Sequence, residues 1–353
     1  MEQPIHDRSA SAASLPALRL DARRLLILAG LAVVTVALLV ALGGGRATLA
    51  ALAGVDGRLL LLAAAIHYGG FALRGHRWQL LLRTTGHRLG YLYTTGVLLS
   101  GWFVSALLPA RAGDVLRMAA LRLPPPAQPE VPVADSLGSI VAERALDILA
   151  LFLLSATFGL AVLGGRLPGW LVAVYGAALA LLIALVAVIL LVPALLTRLR
   201  GASSHRLWQR GLDFALQVAQ SLRRLPRRPG LAVVVALESL AIWLCDALLL
   251  WLAVASLGHW LPFPAAGFAA LTVDILAAVP ITPGGMGQVE TAYAALLALL
   301  AQPGFHIPAA ILVTRAISYW SFLLISGGVA LAMGFGRLLA PAAPPPTPAD
   351  PAG

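Results

Sequence analysis

The sequence predicts an all-α fold: a polytopic helical membrane protein of about six spanning helices, with two re-entrant helical hairpins in an inverted repeat. Three observations carry this. Hydrophobic residues make up 60% of the chain and charged residues only 11%, too few polar side chains to cover a water-soluble fold. Apolar runs recur at about 20 residues, the length needed to cross a hydrocarbon core about 30 Å thick. Two proline-glycine breaks interrupt such runs, at Pro109-Ala110-Arg111-Ala112-Gly113-Asp114-Val115 and at Pro283-Gly284-Gly285-Met286-Gly287-Gln288-Val289-Glu290. Each break is followed by a long hydrophobic segment holding an arginine, in Ala142-Glu143-Arg144-Ala145 and in Val313-Thr314-Arg315-Ala316. Pro109 and Pro283 lie 174 positions apart, as do Gly113 and Gly287, while Arg144 and Arg315 lie 171 apart. One three-residue gap reconciles the two offsets, so the chain carries the same unit twice.

The formal net charge is +10, and all 25 basic residues are arginines. Most fall between apolar runs, where arginines orient spans and meet anionic lipids, and this placement argues against nucleic acid as a partner. The single cysteine, Cys245, rules out an intrachain disulfide and reads as a small core residue.

Taken in order, residues 1–24 form a polar, disordered cytoplasmic tail. Arg19, Arg23 and Arg24 abut an apolar run at 25–42, longer than the core of a signal peptide and lacking a cleavage site, so it is a first span. Residues 59–82 form the second, with Arg74, His76, Arg77 and Arg83 expected to snorkel at its cytoplasmic end. Residues 91–108 are apolar but short. Spans follow at 139–163 and 167–192. The stretch 193–230 holds Arg198, Arg200, Arg206, Arg210, Arg223, Arg224, Arg227 and Arg228 against one acid, Asp213. Its apolar residues fall at helical spacing over 203–225, which gives an amphipathic helix on the cytoplasmic face; a solvated connector is the other reading. Residues 231–257 span again, 264–282 and 288–301 are short apolar runs, and 307–335 is the last span. Residues 339–353 form a proline-rich, disordered tail. A single transmembrane domain therefore covers 25–338, with repeat units at about 91–163 and 264–335.

Parity gives the topology. With the arginine-rich stretch cytoplasmic, counting back through two spans puts 111–138 on the same side, so 91–108 must dip in and return. The second unit, 264–301, starts and ends on the opposite face, and both termini are cytoplasmic. Non-helical backbone at membrane depth persists only when buried in protein or lining a wet cavity. Broken helices in inverted repeats meet near the midplane and present helix N-termini to anionic ligands.

A charge at the bilayer centre costs about 2.5–3.5 kcal/mol on insertion scales, so each needs a reason. The candidate lipid head-group residues are Arg111, Gly113, Asp114, Glu143, Arg144, Asp147, Pro283, Gly284, Gly285, Gly287, Glu290 and Arg315. In one reading Arg111, Arg144 and Arg315 meet a phosphate, the acids hold them, and the glycines let backbone approach the head group. In the other, Arg144 pairs with an acid only to staple the hairpin to its neighbour. Asp246, Asp274 and Glu238 also lie in or near apolar runs, and His67, His76 and His87 show no metal-ligand spacing. No nucleotide-binding loop, nucleophile elbow, metalloprotease motif or zinc-type cysteine cluster occurs. Neither catalysis, a metal nor a cofactor is expected.

Three motifs together carry a family resemblance: Leu108-Pro109-Ala110-Arg111-Ala112-Gly113-Asp114-Val115, then Val141-Ala142-Glu143-Arg144-Ala145-Leu146-Asp147, then Pro280-Ile281-Thr282-Pro283-Gly284-Gly285-Met286-Gly287-Gln288-Val289-Glu290. The chain resembles the lysylphosphatidylglycerol synthase transmembrane-domain family of flippase-like membrane proteins over about residues 20–338. That resemblance implies a multi-pass bacterial inner-membrane protein that translocates or handles an anionic phospholipid, hopanoid or glycolipid. The full-length synthases add an aminoacyltransferase domain with no counterpart in this sequence, so lipid lysylation is not expected. The first motif departs from the family pattern, which has a glycine and a glutamate around Ala112 and Asp114. Besides translocation of anionic or isoprenoid lipids, two other functions stay open. One is a non-transporting partner of a lipid or glycan biosynthetic enzyme, docked through 193–230. The other is an ion-coupled solute transporter using Asp246 and Asp274. A homo-oligomer is compatible with either.

Overall fold

Leucine and alanine dominate the apolar runs and favour helix, and every regular element of the computed structural model is helical. It describes residues 30, 33–41, 43–108, 112–125, 127–164, 168–199, 205–278, 282–300 and 304–335. Both tails, Pro109 and Arg111 lie outside the described residues.

Helix α1 (Val33–Ala41) meets α2 (Arg46–Ala53) at 101° across Gly43–Gly45, where Gly44 adopts φ 75°. His306 Nε2 donates to the Gly43 carbonyl over 2.9 Å and ties the turn to the C-terminal half. Helix α3 (Gly57–Thr84) is capped by Asp56, whose side chain accepts from the Arg58 amide at 2.8 Å. Then come α4 (Tyr91–Leu107), α5 (Ala112–Arg122), α6 (Val133–Leu163), α7 (Gly169–Leu199) and the amphipathic α8 (Arg206–Leu222). The C-terminal half holds α9 (Pro229–Ser256), α10 (Phe263–Ala277), a 3-10 turn at Pro283–Gly285, α11 (Gln288–Leu300) and α12 (Ile307–Arg315). A π-helical turn at Ala316–Ser321 joins α12 to α13 (Phe322–Ala332).

Several boundaries differ from the sequence expectation. Helix α6 starts at Val133 rather than 139, because its first turns pack under α8, with Gly138 against Ser221. Helix α7 continues through Pro193 to Leu199, and α10 stops at Ala277.

Helices α3 and α9 form the central pair, close-packed where Gly70 faces Cys245. On one side α3, α4 and α5 enclose Trp78, Leu82, Val97, Leu98 and Leu121. On the other, α7, α9, α10, α11 and α12 enclose Tyr175, Val254, Phe268, Leu297 and Ile311. Helix α6, the stretch Ile307–Ala332 and α9 are long and apolar enough to cross a membrane. They leave Leu153, Leu160, Leu237 and Leu324 on the exterior, an arrangement that lipid stabilises and water would not. Helix α3 is as long as α9 but carries buried charge, and that charge leads to the site.

Candidate functional site: a charged cavity between the two breaks

The first break is built on glycine. Gly101 of α4 and Gly113 of α5 touch backbone to backbone, and a Cβ on Gly113 would overlap the Gly101 carbonyl. The Gly113 amide donates to Ser105 Oγ at 3.1 Å. This approach drives Arg117 inward. Its side chain is 0% exposed, donates to Glu143 Oε2 at 2.6 Å and to Asp114 Oδ1 at 3.2 Å, and lies 4.0 Å over the Trp78 ring. Glu143 Oε1 accepts from Arg144 at 2.9 Å, and Arg144 also lies 3.5 Å from Asp147. Asp147 accepts from Arg77 at 2.7 Å and from Trp243 Nε1 at 3.2 Å.

The second break uses left-handed glycines: Gly284, Gly285 and Gly287 adopt φ of 61°, 65° and 80°, a region that costs other residues strain. The Gly285 amide donates to the Thr282 carbonyl at 3.0 Å, and Thr282 Oγ1 to the Met286 carbonyl at 2.7 Å. Glu290, in the first turn of α11, reaches back to the Gly287 amide at 2.7 Å as the acid of a capping box does. Its other oxygen accepts from Arg315 Nε at 2.6 Å, while Arg315 Nη2 donates to the Gly284 carbonyl at 3.2 Å.

The two breaks thus share a design with the charges exchanged. In the first, the base follows the break and the acid sits on the next long helix; in the second, the acid follows the break and the base sits on the next helix.

Both breaks reach one cavity of about 340 Å³. Ser105, Ala106 and Asp114 come from the first break, Gly284 and Gly285 from the second, and Arg74, Arg144 and Arg315 from the helices around them. Aromatic rings close one wall, with Phe71 and Phe322 stacked at 4.6 Å and Trp102 against both. Against these rings, Asp246 of α9 accepts from Arg74 at 2.6 Å and pairs with His67 Nδ1 at 3.0 Å, with the Arg74 guanidinium 5.0 Å over Phe71.

Of the candidate residues, Asp114, Arg144, Gly284, Gly285 and Arg315 line the cavity. Glu143, Asp147 and Glu290 stand behind it as ion-pair partners. Gly113 holds the α4–α5 contact, Gly287 precedes α11 and Pro283 opens the 3-10 turn. Arg111 lies outside the described residues. Asp246, offered from the sequence as a coupling group of a solute transporter, is hydrogen-bonded and also lines the cavity. The expectation that Arg74 and Arg77 snorkel is corrected. They are 3% and 1% exposed, because acids on α9 and α6 give each a partner inside, which removes the reason to reach for water. Arg83 keeps its exposed place, and His76 is half-buried and pairs with Glu238 of α9. The sequence reading also missed His67 and Trp102 as lining residues, and Arg117 as the buried hub of the first break. A signal existed for α3: His67, Phe71 and Arg74 recur at helical spacing on one face.

An all-helical membrane domain enclosing a cavity of paired arginines and acids is the class that this fold and site define. The chain belongs to the family described as the lysylphosphatidylglycerol synthase TM region, which it matches over residues 27–326. Among curated proteins it is similar to a protein named glycosyltransferase AglD from Haloferax volcanii, at 27% identity over 90% of this chain and 54% of that protein. The chain thus spans about half the length of that relative. It is also similar to a UPF0104 membrane protein from Methanothermobacter thermautotrophicus, at 26% identity over 75% of this chain and 80% of the relative. No solved structure matches the chain.

Proposed function

We propose that the protein carries an amphiphile with a phosphate-bearing head group between leaflets, as a non-catalytic translocator in a plasma membrane. One observation carries this reading. Three arginines from three different helices converge on a cavity bounded by both broken elements and closed by aromatic rings. Guanidinium groups in a poorly hydrated site bind phosphate oxygens strongly, and the rings suit the apolar part next to a head group. The volume lies within the range of small-ligand sites, leaving the acyl chains in the bilayer.

In this reading six spans surround two hairpins that enter from opposite leaflets, with α8 and both termini cytoplasmic. Cysteines at Glu130 and Trp260, both exposed, placed in a Cys245→Ala background, are then labelled by a membrane-impermeant maleimide from opposite compartments. Labelling of both from one side removes the inverted repeat.

In liposomes with fluorescent phosphatidylglycerol, the protein is expected to move lipid at least about tenfold faster than empty vesicles, and Arg144→Gln to lose most of that gain. Glu143 keeps Arg117 as partner in that variant, so a loss of rate without unfolding is a loss at the site. Vesicles no faster than empty ones overturn translocation. The reading in their favour is then a membrane partner of a lipid or glycan biosynthetic enzyme, whose support is the glycosyltransferase name of one relative and the exposed Arg206, Arg210 and Arg227 in and beside α8.

A further inference from the structure

Two carboxylates face the cavity from its C-terminal half, and only one of them is satisfied. Asp246 holds Arg74 through Oδ2 and His67 through Oδ1. Asp274, on α10, also lines the cavity, and its buried Oδ2 has no hydrogen-bond partner among the described residues. The cations within reach are already engaged: Arg74 on Asp246, and Arg315 on Glu290 and the Gly284 carbonyl. Each helix around α10 adds its own groups: Asp246 from α9, Arg74 and His67 from α3, Tyr293 and Glu290 from α11, and Arg315 from α12. Helix α6 brings Glu143 and Asp147, which are held by Arg77, Arg117 and Arg144.

Donor capacity also remains on the cationic side. Arg74 Nη1 is buried with no hydrogen-bond partner among the described residues, on a side chain 4% exposed. A guanidinium N–H beside the cavity can serve an ionised Asp274 or an entering phosphate, but not both. An anion that takes this donor leaves the carboxylate with like charge beside it and no compensation, a costly state in a poorly hydrated site. Adding a proton to Asp274 removes that cost.

We propose that Asp274 couples proton binding to head-group binding, so that one proton from the aqueous side enters with each anionic head group and leaves with it. The step forms an O–H bond at Asp274 on loading and breaks it on release. It requires no other reactant, and the loaded site crosses with the lipid's negative charge cancelled. This coupling rests on the anionic head-group reading above, and the experiment separates the two.

The purified full chain in detergent is titrated with phosphatidylglycerol in weakly buffered solution, with a pH dye reporting protons and tryptophan fluorescence reporting binding. Wild type is expected to take up about one proton per lipid bound, and its affinity to fall by about tenfold per pH unit above the point where the empty site ionises. Asp274→Asn, which fixes the neutral form, is expected to take up no proton and to show a flat pH profile. Lipid binding by wild type with no proton uptake overturns the coupling and leaves the head-group site standing. Uptake that persists in Asp274→Asn overturns the assignment of Asp274. Tighter binding of phosphatidylethanolamine, again without uptake, overturns it too, since the acids would then serve an amine. No binding of either lipid at any pH removes the head-group site, and the coupling with it.

Discussion

Replacing Arg117 by methionine is expected to cost about 3–5 kcal/mol of stability, read as a lower midpoint of unfolding in a denaturing-detergent titration. The side chain is fully buried and has two acidic partners, Asp114 and the 1% exposed Glu143. Its removal strands Glu143 where water cannot replace the lost donor, and Arg144 alone cannot supply the second oxygen of Glu143 from its present place. The double variant Arg117→Met with Glu143→Gln is expected to regain much of the loss, because a neutral amide demands less compensation than a buried charge. A loss within about 1 kcal/mol for the single variant, the range of solvent-exposed pairs, contradicts the burial described above.

Gly113→Ala is expected to cost at least about 3 kcal/mol, beyond the usual range for overpacking, because the new Cβ meets backbone rather than a side chain able to rotate. Gly101 contributes the opposing carbonyl, so α4 and α5 must separate, and Asp114 and Ser105 leave the cavity wall with them. Lipid movement and stability are both expected to fall. Gly211→Ala, on α8 with no neighbour within 4 Å of a new Cβ, is the control and is expected to leave stability unchanged or up to about 1 kcal/mol higher. Equal behaviour of the two variants refutes the close approach.

The network around these residues also explains which parts were legible in advance. Residues 91–108 and 288–301 were read within one residue of α4 and α11. Glycine, proline and the spacing of apolar residues act locally, through backbone freedom and the 3.6-residue period. The second break shows the same locality: Gly284, Gly285 and Gly287 were singled out for tight turning, and all three adopt positive φ. Local pattern failed at α3, where Arg74 and Arg77 carry the charge and helix-end position of snorkelling residues. Nothing within their own helix distinguishes the two cases.

What the sequence determined by itself was the class of solvent, the helices, and where they break, since apolar content and the conformational needs of glycine and proline are properties of short stretches. What the tertiary structure decided was which charges are inside and whom they hold. Arg74 meets Asp246 across 172 positions and Arg77 meets Asp147 across 70. Whether a buried charge is tolerated depends on a partner at hydrogen-bonding distance, and that distance is set by how helices remote in sequence pack.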